Sequence, residues 1–224
     1  RKEFEIQEQL LSIISANSRV PKEARGDILS LMSCNDSGVE RLENLLTKFQ
    51  LPNLDKVTEF IYERSKFAME KSIGNLPQGI YTNTLKLDGF DRPITLRARM
   101  EIKKKSIVVD LSESSKAVSR GINCPLNYSI AYGSYGIKAA ICPEVPNNAA
   151  SLSRIQVVSQ SGLVVSAEKP SPVTARHVIG QALPDLVLGC LSKALPGEIL
   201  SESSGALWTI SLTGNGQKTF SSLN

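Results

Sequence analysis

The 224-residue chain has the composition of an ordinary globular protein, with 41% hydrophobic and 21% charged residues. Its net charge of +4 is too small to indicate nucleic-acid binding, and six Phe, five Tyr and one Trp offer few stacking platforms for bases. No apolar stretch reaches membrane-spanning length, and no charged-then-apolar leader is visible. The four cysteines lack any CxxC or zinc-ligand spacing, so we expect reduced thiols in a cytoplasmic protein.

The first third of the chain predicts helices. Apolar residues recur at spacings of four and three from Ile28 to Phe49, and this phase continues past Gly38. We therefore expect one long helix over 22–49, bent at Gly38 at most. The competing signal is the turn-like run Asn35-Asp36-Ser37-Gly38.

Two further helices flank this long one. A short amphipathic helix precedes Pro21, a residue suited to the first turn of the long helix. Pro52-Asn53 then ends the long helix and caps another that reaches Gly74. Residues 1–75 are thus predicted to form a helical segment, an antiparallel, bundle-like layer.

Beyond residue 76 apolar and polar residues alternate, a period typical of strands with one buried face. Residues 79–111 predict a three-stranded antiparallel meander, with turns at Asp88-Gly89 and Lys103-Lys104-Lys105. The other predicted elements are helices over 127–141 and Leu183–Leu195, two short strands about Ser161-Gly162 that include Leu163 and Val165, and a strand-like piece at Ala206–Ile210. The predicted fold class is α+β, in which residues 76–224 form a mixed α/β domain with the meander.

Candidate functional residues lie in loops beside regular elements, where a rigid base can present polar groups. Arg120 and Arg176 could bind a carboxylate or a phosphate, or could form surface ion pairs. Asn123 could orient a substrate amide or stabilise a turn. His177 is the sole histidine, and a single histidine is more often structural than catalytic. Cys124 would need a neighbouring base to act as a nucleophile, and no GxSxG, phosphate-binding glycine loop or HExxH is present.

Six segments in order resemble the hydantoinase B/oxoprolinase family, which includes the B-type subunits of ATP-dependent hydantoinases and 5-oxoprolinases and the related alpha subunit of acetone carboxylase. Each motif is short, but their common order is fairly specific. The resemblance covers nearly the whole chain. The segments are Ala16–Pro21 with Gly26-Asp27, Leu76–Tyr81, Val109–Ser112, Gly121–Pro125, Val145–Asn147 and Ala194–Pro196.

The chain departs from the family pattern in several places. Leu111 stands where the family usually has Phe, Glu113 where it has Gly, and Ser159–Gly162 where it has Pro-Glu-Gly. Pro184 falls inside a segment that is normally helical, so the helix is expected to start or kink there. Family members are longer, and this chain resembles their middle. The His- and Asp-rich N-terminal region, where the resemblance implies a divalent metal, has no counterpart here, so no metal ligand is transferred.

The resemblance implies a central fragment of a B-type subunit of an ATP-dependent cyclic amide hydrolase. An A-type subunit or domain would use ATP to phosphorylate a carbonyl or amide oxygen, and the B-type part would assist attack on the activated carbon in a hetero-oligomer. No cofactor is expected in this fragment, which should be inactive alone. Arg120, Asn123, Arg176 and His177 are the candidate catalytic residues. The alternatives are a fragment of an acetone carboxylase-like alpha subunit and a non-catalytic subunit-assembly module.

Overall fold

A computed structural model describes residues 5–203, 208–214 and 217–223. The chain divides into two compact units, Arg1–Thr58 and Glu59–Asn224. The division of the sequence into 1–75 and 76–224 stays a prediction. Within the described residues no helix is long and apolar enough to cross a membrane.

The first unit contains helices α1 (Glu8–Ala16) and α2 (Pro21–Lys48). Pro21 occupies the first turn of α2, where its missing N–H costs no hydrogen bond. The Arg25 guanidinium donates to both carboxylate oxygens of Glu8, at 2.8 and 2.9 Å, and ties the two helices together. The single long helix is confirmed. None of its residues is fully buried, and Ile28, Met32 and Leu46 of its apolar stripe are half-buried.

Helix α3 (Asp55–Gly74) follows the Pro52-Asn53 break, as predicted. The Asn53 side chain accepts a hydrogen bond from the backbone N–H of Asp55 at 3.1 Å. The last turns of α3 bury Met69 and Ile73, which belong to the hydrophobic core of the second unit. Most of the preceding turns stay exposed, so α3 is anchored through its C-terminal half.

The meander is confirmed as β1 (Gly79–Leu87), β2 (Ile94–Ile102) and β3 (Ile107–Asp110), paired antiparallel in that order. A fourth strand, β4 (Ile155–Val158), pairs parallel with β3. Helix α5 (Ala149–Leu152) precedes it. Alternate residues of β2 are buried from Ile94 to Ile102, because one face of the sheet carries the core and the other meets solvent. The fold class α+β is therefore confirmed.

Helices α4 (Leu126–Ile141) and α7 (Ala182–Ala194) pack against each other, and both pack on the sheet. The two predicted helices are thus confirmed. Pro184 is the third residue of α7, so the helix starts within one turn of it, as expected, and its missing N–H has no acceptor within the helix. A Cβ on Gly136 of α4 would lie 2.9 Å from the Cα of Pro184, which shows how closely these helices approach.

The predicted second short strand after Ser161-Gly162 is wrong. Leu163 forms only an isolated bridge with Lys116, and Val164 and Val165 are fully buried in an irregular segment. The backbone groups of Val164 bond to loops instead of a strand ladder: its N–H donates to the Ser115 carbonyl at 2.9 Å, and its carbonyl accepts from the Cys124 N–H at 2.7 Å. Burial of a loop explains the apolar run here, and a short apolar run does not distinguish a buried loop from a strand.

A hairpin ends the described chain, formed by β5 (Trp208–Gly214) and β6 (Gln217–Leu223) in antiparallel register. The predicted strand at Ala206–Ile210 is confirmed from Trp208 onward. Ala206 and Leu207 lie outside the described residues.

Candidate functional site

The serine-rich segment after β3 is fastened to the neighbouring strand. Asp110 accepts a hydrogen bond from the N–H of Ser112 at 2.8 Å, which turns the chain at the strand end. The hydroxyl groups of Ser114 and Ser115 accept from the backbone of Arg97 at 3.1 Å and of Thr95 at 2.9 Å. These bonds extend the pairing of β2 beyond β3 and give the following loop a rigid start.

Asn123 ties that loop together. Its side chain is fully buried, and its Oδ1 accepts from the N–H of Val118 at 2.8 Å. Its Nδ2 lies within hydrogen-bond distance of three carbonyl oxygens, those of Val118 at 2.8 Å, Arg120 at 2.9 Å and Pro172 at 2.9 Å. The N–H groups of the amide are engaged and the side chain is fully buried, so the amide is not available to a substrate, and it holds the Arg120 loop to the segment that carries Arg176.

A backbone bond strengthens this connection. The N–H of Ala175 donates to the carbonyl of Gly121 at 2.7 Å. A Cβ on Gly121 would lie 3.7 Å from the Thr174 Cβ, which shows that the two segments run side by side. The structure thus brings the loops of three sequence-predicted residues, Arg120, Asn123 and Arg176, next to one another.

Each arginine lies over its own aromatic ring. The Arg120 guanidinium is 5.3 Å from the centroid of Phe90. The Arg176 guanidinium is 5.5 Å from the centroid of Tyr128. Both arginines are exposed, and one N–H of Arg176 donates to the Val173 carbonyl at 3.4 Å. A ring under a guanidinium orients its charge, and the N–H groups not otherwise engaged can bind an anion.

Arg120 also borders an open cavity of about 360 Å³ between the β1–β2 loop and its own loop. Arg92 and Asp91 contribute charged groups to this cavity, and Phe90 forms an apolar wall. The cavity therefore combines two cations with one anion. Its lining consists of Phe90–Arg92 and Ala117–Arg120.

Tyr128 belongs to a short aromatic stack on α4. Its ring lies 4.6 Å from that of Tyr132 with an interplanar angle of 13°. A hydrogen bond to the Tyr132 hydroxyl, together with burial, raises the pKa of Tyr128 to about 12. Tyr128 thus stays protonated near neutral pH and supports Arg176 as a neutral ring.

Neither Cys124 nor His177 completes a nucleophilic pair. Burial raises the pKa of the Cys124 thiol, and the opposing effects of the Ser129 hydroxyl and the Arg176 charge are smaller. Since the thiolate is the reactive form, Cys124 is a poor nucleophile. His177 is half-buried at the start of α6 (His177–Gly180), directly after Arg176. The cluster is therefore suited to binding an anion.

Sequence reasoning missed the two rings beneath the arginines. Phe90 follows Gly89, whose φ of +71° is a left-handed conformation that glycine tolerates. Tyr128 and Tyr132 stand four residues apart on one helix, a spacing that places side chains on the same face. The tyrosine spacing could have been read from the sequence. The pairing of Phe90 with Arg120 depends on long-range folding.

The described residues also contain no group of three or more His, Cys, Asp and Glu side chains able to hold a metal ion. The cluster around Arg120 and Arg176 consists of cations and aromatic rings, a donor set that does not fit a divalent metal.

A sequence model of the hydantoinase B/oxoprolinase family matches residues 1–223. The chain belongs to this family. Among curated relatives, an uncharacterized protein of Methanocaldococcus jannaschii is 24% identical over 212 residues, covering 94% of this chain and 38% of the relative. A putative B-type subunit of a D-/L-hydantoinase from Pseudomonas sp. is 25% identical over 222 residues, covering 93% and 37%. The chain thus spans well under half the length of these relatives.

Two solved structures share the fold of this chain. The ATP-dependent caprolactamase from Pseudomonas jessenii superposes with a TM-score of 0.77 at 20% identity, covering 88% of this chain and 34% of that protein. A nucleotide-free acetone carboxylase superposes with a TM-score of 0.56 at 11% identity, covering 68% and 22%. At these identities the likeness establishes the fold alone.

Proposed function

We propose that this hydantoinase B/oxoprolinase chain is the central part of a B-type subunit of an ATP-dependent cyclic amide hydrolase. The match to the family over residues 1–223 carries the proposal. Hydantoin and caprolactam, the compounds in the names of a relative and of the structural neighbour, are both rings closed by an amide bond. The partner is an A-type subunit or domain that binds ATP, and the working enzyme is a hetero-oligomer.

The chemistry explains why ATP is needed. An unstrained amide is a poor electrophile, and phosphorylation of its oxygen makes the ring carbon reactive. Water then attacks this carbon, the ring C–N bond breaks as its nitrogen gains a proton, and a second water releases the phosphoryl group as phosphate. Every species between phosphorylation and release carries negative charge, so the site that handles them needs fixed cations.

The cluster of residues held together by the buried Asn123 side chain contains such cations. Arg120 and Arg176 would bind phosphoryl or carboxylate oxygens, since guanidinium groups bind these oxygens in bidentate fashion. Asn123 would hold the two arginine segments in place rather than touch the substrate, since its hydrogen bonds are already made. His177, beside Arg176, would exchange the proton that the ring nitrogen takes up.

The second candidate is ATP-driven carboxylation of a ketone, favoured by the likeness to acetone carboxylase. Activation by phosphorylation can serve this reaction as well: bicarbonate takes the phosphoryl group from the enol oxygen and frees the enolate, and the enolate carbon then attacks the carbon of the resulting carboxyphosphate as phosphate leaves. The two reactions differ in the co-substrate, which is water in one and bicarbonate in the other.

Reconstitution tests both candidates. The complete protein that carries this chain is co-purified with an A-type subunit, and ADP release is measured with hydantoin, 5-oxoproline, caprolactam, or acetone plus bicarbonate. We expect ADP release coupled to ring opening of a cyclic amide, and only when both subunits are present. Bicarbonate-dependent ADP release with acetone alone would favour the carboxylase, and substrate-independent ADP release would contradict both functions.

A further inference from the structure

Three charged residues border the open cavity beside Arg120, here called the Arg92 cavity and lined by Phe90–Arg92 and Ala117–Arg120. Two of them, Arg92 and Arg120, are cations, and Asp91 is an anion. Among the residues that the structure describes, no salt bridge joins any of the three to another charged group. One concavity thus collects two cations and one anion whose charges are not compensated by the protein, which favours a charged ligand.

Both walls of the Arg92 cavity are fixed by local structure. In the β1–β2 loop, Gly89 has a φ of +71°, and a Cβ there would overlap the carbonyl oxygen of Arg92, so the chain turns back tightly on itself. On the opposite wall the N–H and the carbonyl of Val118 both bond to the Asn123 side chain at 2.8 Å. A site that is already formed before its ligand arrives loses little conformational entropy on binding.

The lining of the cavity selects a ligand that carries both charges. Guanidinium groups bind a carboxylate through paired hydrogen bonds, which suits Arg92 and Arg120. The carboxylate of Asp91 repels a dianion such as phosphate and accepts hydrogen bonds from an ammonium group. Phe90, whose ring centroid lies 5.3 Å from the Arg120 guanidinium, offers an apolar surface to the methylene groups between the two charges. The cavity volume of about 360 Å³ is within the range of roughly 300–1,000 Å³ that small-molecule sites occupy.

We propose that the Arg92 cavity binds an amino acid zwitterion, with the carboxylate at Arg92 and Arg120 and the ammonium group at Asp91. The charges of the cavity carry this inference, and only its link to catalysis rests on the proposed function. Hydrolysis of the ring C–N bond of a lactam yields a carboxylate and an amine, so the product has the two charges that the intact ring lacks. Product bound in the cavity occupies Arg120 and therefore inhibits the next turnover.

A matched series of ligands tests the site. The complete protein that carries this chain is titrated calorimetrically, without ATP or an A-type subunit, with 6-aminohexanoate, hexanoate, hexylamine and inorganic phosphate. We expect 6-aminohexanoate to bind about threefold more tightly than hexanoate, the factor that one exposed ion pair contributes, and more tightly still than hexylamine, which cannot engage the arginines. Equal dissociation constants for 6-aminohexanoate and hexanoate, tighter binding of phosphate, or no binding of 6-aminohexanoate would overturn the proposal.

Variants at exposed positions locate the bound ligand. Arg92→Ala should raise the dissociation constant of 6-aminohexanoate by about tenfold, the effect of losing one charge-assisted hydrogen bond. Asp91→Asn should abolish the preference for 6-aminohexanoate over hexanoate. The control Arg64→Ala makes the same change of charge at an exposed arginine that does not line the cavity, and it should bind like the unmodified protein. Equal weakening by Arg92→Ala and Arg64→Ala, or a preference that survives Asp91→Asn, would contradict binding in this cavity.

These titrations also separate the cavity from the proposed enzymatic function, because they require no turnover. Selective binding of 6-aminohexanoate, combined with a reconstituted complex that opens no cyclic amide, would support the cavity and contradict the proposed function. Ring opening by the complex without selective binding of 6-aminohexanoate would support the proposed function and overturn the amino acid site.

Discussion

Asn123 shows how one buried side chain can position two charged groups. A carboxylate at this position would face the carbonyl oxygens of Val118, Arg120 and Pro172 in place of the amide donor. We therefore expect Asn123→Asp to lower the free energy of unfolding at pH 7 by about 3 kcal/mol or more, the cost of a buried charge without a partner. Urea denaturation followed by tryptophan fluorescence or circular dichroism measures this change.

The loss of unfolding free energy caused by Asn123→Asp should also depend on pH. Burial among carbonyl oxygens raises the pKa of the new carboxyl above its unfolded value, so the penalty is present above the unfolded pKa and shrinks as the pH falls towards 4. The exposed control Asn44→Asp should change stability by less than about 0.5 kcal/mol at any pH. A deficit that is independent of pH would contradict a buried carboxylate.

The buried thiol of Cys190 should make the free energy of unfolding depend on pH in alkaline solution. It is fully buried, and burial raises the pKa of its thiol to about 11 from an ordinary value of 9.0. The unfolded chain therefore loses this proton first, so stability falls as the pH rises from about 9 to 11, by at most about 1.4 kcal/mol per pH unit from this group. Cys190→Ala should flatten that slope, measured by urea denaturation at several pH values. The exposed control Cys34→Ala should leave it unchanged, and equal slopes in all three proteins would refute the effect.

Two glycines in helices are expected to respond oppositely to the same substitution. A Cβ on Gly38 of α2 meets nothing within 4 Å, so Gly38→Ala should raise the free energy of unfolding by about 0.5–1 kcal/mol through helix propensity. A Cβ on Gly180 of α6 would overlap the Tyr128 ring, so Gly180→Ala should lower it by about 1–3 kcal/mol. Thermal unfolding of both variants provides the comparison. A stabilising Gly180→Ala would contradict the close packing of Tyr128.

The elements that could be predicted from sequence are those with a sustained period. The apolar spacing of α2 correctly predicted that the helix continues through the turn-like run Asn35–Gly38. A continuous helix keeps its backbone hydrogen bonds, and a local turn would interrupt them. The alternation in β1 to β3 likewise determined the meander. The strand predicted after Gly162 failed, because burial of Val164 and Val165 does not require a ladder. The parallel pairing of β4 with β3 depends on a long crossover connection that no local pattern encodes.

The candidate site was predicted only in part for the same reason. Arg120, Asn123 and Arg176 stood out as polar residues in loops, and the sequence alone could not distinguish a substrate-binding amide from a buried tie. The contacts that define their roles join residues far apart in the chain, such as Asn123 to Pro172 and Arg120 to Phe90. Those contacts follow from the fold, so they become visible only in three dimensions.

At the scale of the whole molecule, the chain should depend on its partner. It contains no phosphate-binding glycine loop, and we expect the purified chain neither to hydrolyse ATP nor to open a cyclic amide by itself. A coupled ADP assay and chromatographic detection of the ring-opened product measure the two activities. ATP turnover by the isolated chain that disappears in Arg120→Ala would refute this dependence.

The most direct test of the account compares arginine variants in the complete complex with an A-type subunit. Losing one charge-assisted hydrogen bond costs about 1.5–3 kcal/mol, so Arg120→Ala and Arg176→Ala should each lower kcat/KM for ATP-dependent ring opening by roughly 10- to 150-fold. Their melting temperatures should stay within about 2 °C of the unmodified complex. Arg64→Ala is the matched control, because Arg64 also lies over a ring, 5.6 Å from Phe60, away from the cluster, and its turnover should be unchanged. Unchanged turnover in both cluster variants, or losses matched by equal losses of thermal stability, would contradict an anion-binding role for this site.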